Sequence, residues 1–125
     1  MANNIFKEPK KLLLAATFIL IIILMFAVAD YLIHSLSEEY AVPGYYFTNK
    51  IIYGTIIGFI AWLFIKNKNP LPKSLIFSAI VAVLLQARYF LQGYPLDFVL
   101  EFLVIHFVIL LAISYLIVKL AKGII

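Results

Sequence analysis

The stretch Leu12–His34, LLLAATFILIIILMFAVADYLIH, carries no ionisable side chain until Asp30. Read as a helix it rises about 27 Å from Leu12 to Asp30, close to the roughly 30 Å of hydrocarbon in a bilayer. Isoleucine, leucine, valine and phenylalanine fall on every side of it, where a soluble surface helix would keep a polar face. Soluble domains carry about 25% charged residues. This chain of 125 residues is 66% hydrophobic and 13% charged, too apolar and too short to hide such a helix in a water-soluble core. Lipid is the expected solvent.

Outward from that stretch, three more apolar runs follow: Phe47–Ile65, interrupted at Asn49 and Lys50, then Leu75–Leu91 and Leu96–Leu120. Pro43-Gly44, Asn69-Pro70-Leu71-Pro72 and Gly93-Tyr94-Pro95 separate them, and such Pro/Gly clusters end helices. The predicted fold is all-α, a single domain over 1–125 with four transmembrane helices near 12–35, 47–65, 74–92 and 96–120. The tight third turn makes the last two an antiparallel hairpin. Lys10-Lys11 with Ala27-Val28-Ala29 imitates a cleavable secretory signal. The apolar run between them exceeds the usual length of about 7–15 residues, so a retained span is expected.

Basic residues set the expected orientation. Lys7, Lys10, Lys11, Lys66, Lys68, Lys73, Lys119 and Lys122 lie at one end of the spans. Glu38, Glu39, Asp97 and Glu101 lie at the other, with Lys50 and Arg88. The positive-inside rule then places both termini in the cytoplasm, in a multi-pass protein of the cell membrane. Tyr31, Tyr40, Tyr45, Tyr46, Tyr89 and Tyr94 form an aromatic belt at the acidic end, and Trp62 and Tyr115 approach the lysine end. The net charge of +4 flanks apolar runs and makes no patch for nucleic acid. With no cysteine there is no disulfide, thiolate metal site or cysteine nucleophile.

The remaining polar residues carry any specific chemistry, because an ionisable group in a membrane normally faces a partner, water or a site. Asp30 and His34, at i and i+4, share a helix face that Glu38 extends if the helix continues. That pair can shuttle protons or hold a cation, but without a third ligand it defines no metal site, and none is expected. Arg88 lies about 20 Å into its helix with Gln86 and Gln92 nearby, and its expected counter-ion is Glu101 across the hairpin, with Asp97 on the same face and Asp30 as competitor. His106 falls about 15 Å into the last span, on a different face from Glu101, and reads as an isolated group at a different depth from His34. Its functional reading is a proton relay; bis-histidine haem ligation is not expected. Gly54-x-x-x-Gly58 gives a close-packing stripe, inside the chain or between two copies.

No phosphate-binding loop, nucleophile elbow or zinc-protease motif is present, and no cofactor is expected. In size and four-span layout the chain is similar to small multidrug exporters and to fluoride channels, which work as dimers. It lacks the mid-membrane glutamate of the first and the filter stretches of the second, so the likeness implies only a possible homodimer or larger membrane complex. The leading expectation is a non-enzymatic subunit or binding module with an outward-facing polar pocket of Asp30, His34, Arg88, Asp97 and Glu101. The alternatives are a dimeric transporter or channel, joined through Gly54 and Gly58 with Arg88 or His106 on its route, and a lipid-modifying or metal-dependent enzyme built on Asp30, His34 and Glu101.

Overall fold

A computed structural model describes residues 8–122, so Lys7 lies outside the described residues. They form four helices: α1 (Pro9–His34), α2 (Tyr45–Ile65), α3 (Pro70–Leu91) and α4 (Leu96–Leu120), with a short 3-10 turn at Glu38–Tyr40. Each of the four is long and apolar enough to cross a membrane.

Local chemistry sets the helix ends. Pro9 and Pro70 stand in first turns, where a missing N–H removes no helical hydrogen bond. Those prolines start α1 and α3 three and five residues earlier than the apolar runs suggest. The α3–α4 turn requires Gly93, whose φ of 98° lies in the left-handed region. Pro95 then precedes α4, and Asp97 sits in its first turn, beside the positive end of the helix dipole. The first connection differs from expectation. Helix α1 stops at His34, and Ser37 accepts from the Glu39 N–H to start the 3-10 turn. Glu38 therefore does not extend the Asp30–His34 face.

Each helix packs on its sequence neighbours and α4 closes back on α1, so the four make a ring. Short connections make the neighbours antiparallel. Unlike a soluble bundle, the ring exposes large apolar side chains and buries charged ones beside its apolar core. Leu91 and Phe64 face outward at 85% and 80% exposure, whereas Asp30, Lys50, Ser78, His106 and Ser114 are fully buried. In water this distribution would be unfavourable on both counts; in lipid it is the expected one. The apolar interior includes Ile19, Ile23, Phe77, Val81, Leu85 and Leu110. One polar tie crosses it, a 3.1 Å hydrogen bond between the Ser78 and Ser114 hydroxyls on α3 and α4. Such interhelical bonds contribute about 0.6 kcal/mol in a membrane.

Gly54 and Gly58 turn inward. A methyl group at Gly58 would meet Ile19 Cγ2 at 3.0 Å and the Phe77 ring at 3.1 Å, and one at Gly54 would meet Ile23 Cγ2 at 3.2 Å. The glycines let α2 approach α1 and α3, so this stripe is used within the chain. It is not a surface for a second copy, which corrects the expected seam of a dimer through Gly54 and Gly58.

Candidate functional site

Asp30 lies one turn before the end of α1, and Lys50 lies just over one turn after the start of α2. The two are therefore equally far from their shared connection, and their side chains meet. The Lys50 ammonium donates to Asp30 Oδ2. His106 joins from α4, with Nε2 at 2.9 Å from Asp30 Oδ1 and 3.1 Å from Lys50 Nζ. His34 completes the cluster from α1, with Nε2 at 3.2 Å from Asp30 Oδ2. All four side chains are buried.

Rings enclose the group. His34 stacks on Phe102 at 4.2 Å between centroids, and Phe26 meets His106 edge-on at 5.1 Å. Lys50 Nζ lies 4.3 Å from the Tyr46 ring centroid and 5.0 Å from that of Phe26, positions that add cation–π attraction. A charge sealed from water by aromatic rings interacts strongly with its neighbours, because the local dielectric is low.

The hydrogen-bond arithmetic of this cluster does not close. A carbonyl oxygen only accepts, so the 2.6 Å contact from His34 Nδ1 to the Tyr40 carbonyl assigns the proton to Nδ1. In neutral His34 the Nε2 lone pair then faces a carboxylate oxygen, and this buried nitrogen has no hydrogen-bond partner. His106 has the same difficulty in another form. Its Nε2 sits between Lys50, which can only donate, and the Asp30 carboxylate, which only accepts, while its buried Nδ1 has no partner. Either neutral tautomer satisfies one neighbour and opposes the other. Buried polar groups are normally satisfied, so one unpaired nitrogen on each of two imidazoles that share a carboxylate marks this cluster as a candidate site.

Asp30, His34 and His106 each offer a ligand atom, and the three atoms lie within 4.8 Å of one another. This corrects the expectation of no third ligand for the Asp30–His34 pair. It also corrects the depth assigned to His106, which rested on equal starting levels for the helices. Glu101 meets Tyr40, beyond the end of α1, so α4 begins well above that end. His106, five residues below Glu101, thus arrives level with Asp30. Asp30 and His34 are both buried, 0% and 4% exposed.

The other expected pocket residues lie elsewhere. Arg88 does not pair with Glu101: its guanidinium stacks on Tyr53 at 3.8 Å and bonds Gln92 Oε1 at 3.3 Å. Gln86 donates to the Val99 carbonyl at 2.7 Å and ties α3 to α4. Glu101 is exposed and accepts from the Tyr40 phenol at 2.8 Å. That bond, and the carboxylate charge behind it, raise the Tyr40 pKa. Asp97 is exposed as well. The five-residue pocket and the Asp30–His34–Glu101 enzyme centre therefore do not form. Glu101 nonetheless holds Tyr40, and the Tyr40 carbonyl orients His34.

A cavity of about 290 Å³ opens at the acidic end beside His34, bounded by Tyr31, Ser37, Glu38, Val42 and Phe47. Towards the lysine end the cluster is closed off by Ile19, Ile23, Val81 and Leu110, none above 2% exposed. Compared with known protein families, curated proteins and solved structures, the chain matches none of them.

Proposed function

We propose that this is a multi-pass protein of the cell membrane, with both termini cytoplasmic, that binds a cation from the outer side in the Asp30–His34–His106 cluster. It is read as a non-enzymatic binding module. The observation that carries this reading is the 3.2 Å approach of two buried acceptors, His34 Nε2 and Asp30 Oδ2, of which Nε2 has no donor in the neutral tautomer. A cation between them gives the unpaired Nε2 lone pair a partner and shares the carboxylate oxygen. Lys50 is the internal cation that holds the carboxylate otherwise. The cavity beside His34 supports access from the acidic end, and the apolar closure below supports binding over conduction. The lysines at the opposite end support the orientation.

Thermal unfolding of the purified full-length chain in detergent, against a panel of Na⁺, K⁺, Mg²⁺, Ca²⁺, Mn²⁺ and Zn²⁺, tests the reading. A ligand that binds only the folded state stabilises it by mass action. At least one cation is expected to raise the transition of the wild type and to leave Asp30→Asn unmoved. A wild type indifferent to the whole panel overturns the proposal.

A further inference from the structure

We propose that the occupant is a divalent transition-metal ion, ligated by an Asp30 carboxylate oxygen, His34 Nε2 and His106 Nε2, and that Lys50 is a built-in competitor displaced when the metal binds. This rests on the cation reading above and names the class of cation.

The donor set selects the metal. Two imidazoles and one carboxylate suit zinc, iron, cobalt and similar ions, whereas magnesium and calcium take oxygen ligands. The spacing also fits. Ligands about 2.0–2.1 Å from a tetrahedral metal lie roughly 3.3 Å apart. Asp30 Oδ1 stands 2.9 Å from His106 Nε2 and Oδ2 3.2 Å from His34 Nε2, and one ligand atom from each residue lies within 4.8 Å of the other two, so binding draws the three inward onto the ion. A metal-binding histidine characteristically donates its other ring N–H to a carbonyl or carboxylate, which frees the opposite nitrogen for the ion. His34 has this arrangement, through its Nδ1–H and the Tyr40 carbonyl. Three protein ligands leave a fourth position open, as in metal sites that exchange a ligand.

Lys50 makes the site conditional. Its ammonium occupies the space between Asp30 and His106 that the metal requires, and like charges cannot share it. The Tyr46 and Tyr89 rings, with centroids 4.3 and 5.8 Å from Nζ, provide a cation-binding face to which the flexible side chain can withdraw. Binding is thus an exchange of one cation for another, which keeps the metal removable.

The test uses full-length protein in detergent, stripped with chelator and titrated with Zn²⁺ or Co²⁺. One ion per chain is expected, with Co²⁺ giving the visible absorption bands of nitrogen–oxygen coordination. His34→Ala and His106→Ala are expected to weaken Zn²⁺ binding by at least the roughly 10–100-fold that losing an outer partner of a metal ligand costs. Lys50→Met is expected to bind Zn²⁺ more tightly, by about tenfold or more, a change a merely structural ion pair would not give. Should that variant fold poorly, the Co²⁺ spectrum of the wild type and the two histidine variants decide the matter. Saturable stabilisation by Na⁺ or K⁺ with no Zn²⁺ or Co²⁺ binding overturns the metal and leaves the cation reading standing. No response to any cation overturns both. Zn²⁺ binding undiminished in both histidine variants overturns the ligand assignment.

Discussion

His34 Nε2 faces Asp30 Oδ2 at 3.2 Å while the opposite ring nitrogen is committed to the Tyr40 carbonyl. The imidazole therefore cannot turn to offer a hydrogen without breaking that part-buried bond. The acidic end of the bundle consequently holds a preoriented donor atom aimed at a carboxylate, fixed from outside by a loop.

The Asp30–Lys50 pair sets the first expectation on stability. Removing one member of a buried ion pair leaves the other uncompensated, at a cost of about 3–5 kcal/mol. Asp30→Asn and Lys50→Met are each expected to fall in that range. The double variant Asp30→Asn/Lys50→Met is expected to lose clearly less than the sum of the single changes. Denaturant unfolding in mixed micelles measures the cycle; simple additivity would show that the two groups are not coupled.

Close approach at Gly58 is open to a sharper comparison. Gly58→Ala drives a methyl group into Ile19 and Phe77, an overpacking expected to cost about 1–3 kcal/mol. Gly44→Ala meets nothing within 4 Å and keeps a backbone of φ −57°, which any residue adopts. That variant is expected to leave stability unchanged or raise it by up to about 1 kcal/mol through the unfolded chain. Equal losses in the two would contradict the packing described for α2.

Arg88 is expected to be independent of the cation site. Its guanidinium lies over Tyr53 on α2 and away from Asp30. Arg88→Ala should lose about 0.5–1 kcal/mol of cation–π attraction with no change in cation response. A weakened cation response in Arg88→Ala would restore Arg88 to the site.

Tyr40 gives a pH dependence with a defined sign. Its phenol donates to Glu101 and its pKa is raised, so folding favours the protonated form. The contribution is complete below the ordinary phenol value of about 10 and fades as pH climbs through the raised value. Amide exchange at residues 38–41 is expected to quicken above that range in the wild type. In Tyr40→Phe it should be fast throughout, apart from the ordinary base catalysis of exchange. A Tyr40→Phe chain with the wild-type profile would remove the phenol–carboxylate bond from the account.

The four spans were legible because each is a long apolar run closed by Pro or Gly, and this pattern needs no tertiary information. The site was only half legible. Asp30 and His34 share a face by helical spacing alone, but depth across helices depends on how far each protrudes. Glu101 reads as membrane-embedded if α4 starts level with α1; its bond to Tyr40 places it above the end of α1. In the sequence Lys50 reads as one of two positive charges at the acidic end. A signal for it did exist, an acid and a base at equal distances on either side of one short connection. Arg88 misled for the opposite reason, since an aromatic face on a neighbouring helix leaves no charge signature in the sequence.

Because Asp30 and Lys50 belong to consecutive helices, their charges cancel within the first hairpin alone. Helices α1 and α2 can enter the bilayer as an electrically closed unit, before α3 and α4 have been synthesised. The C-terminal half then delivers His106 to a carboxylate already held in place. In the order of synthesis, the partners of the ion pair come first and the buried cluster is completed last.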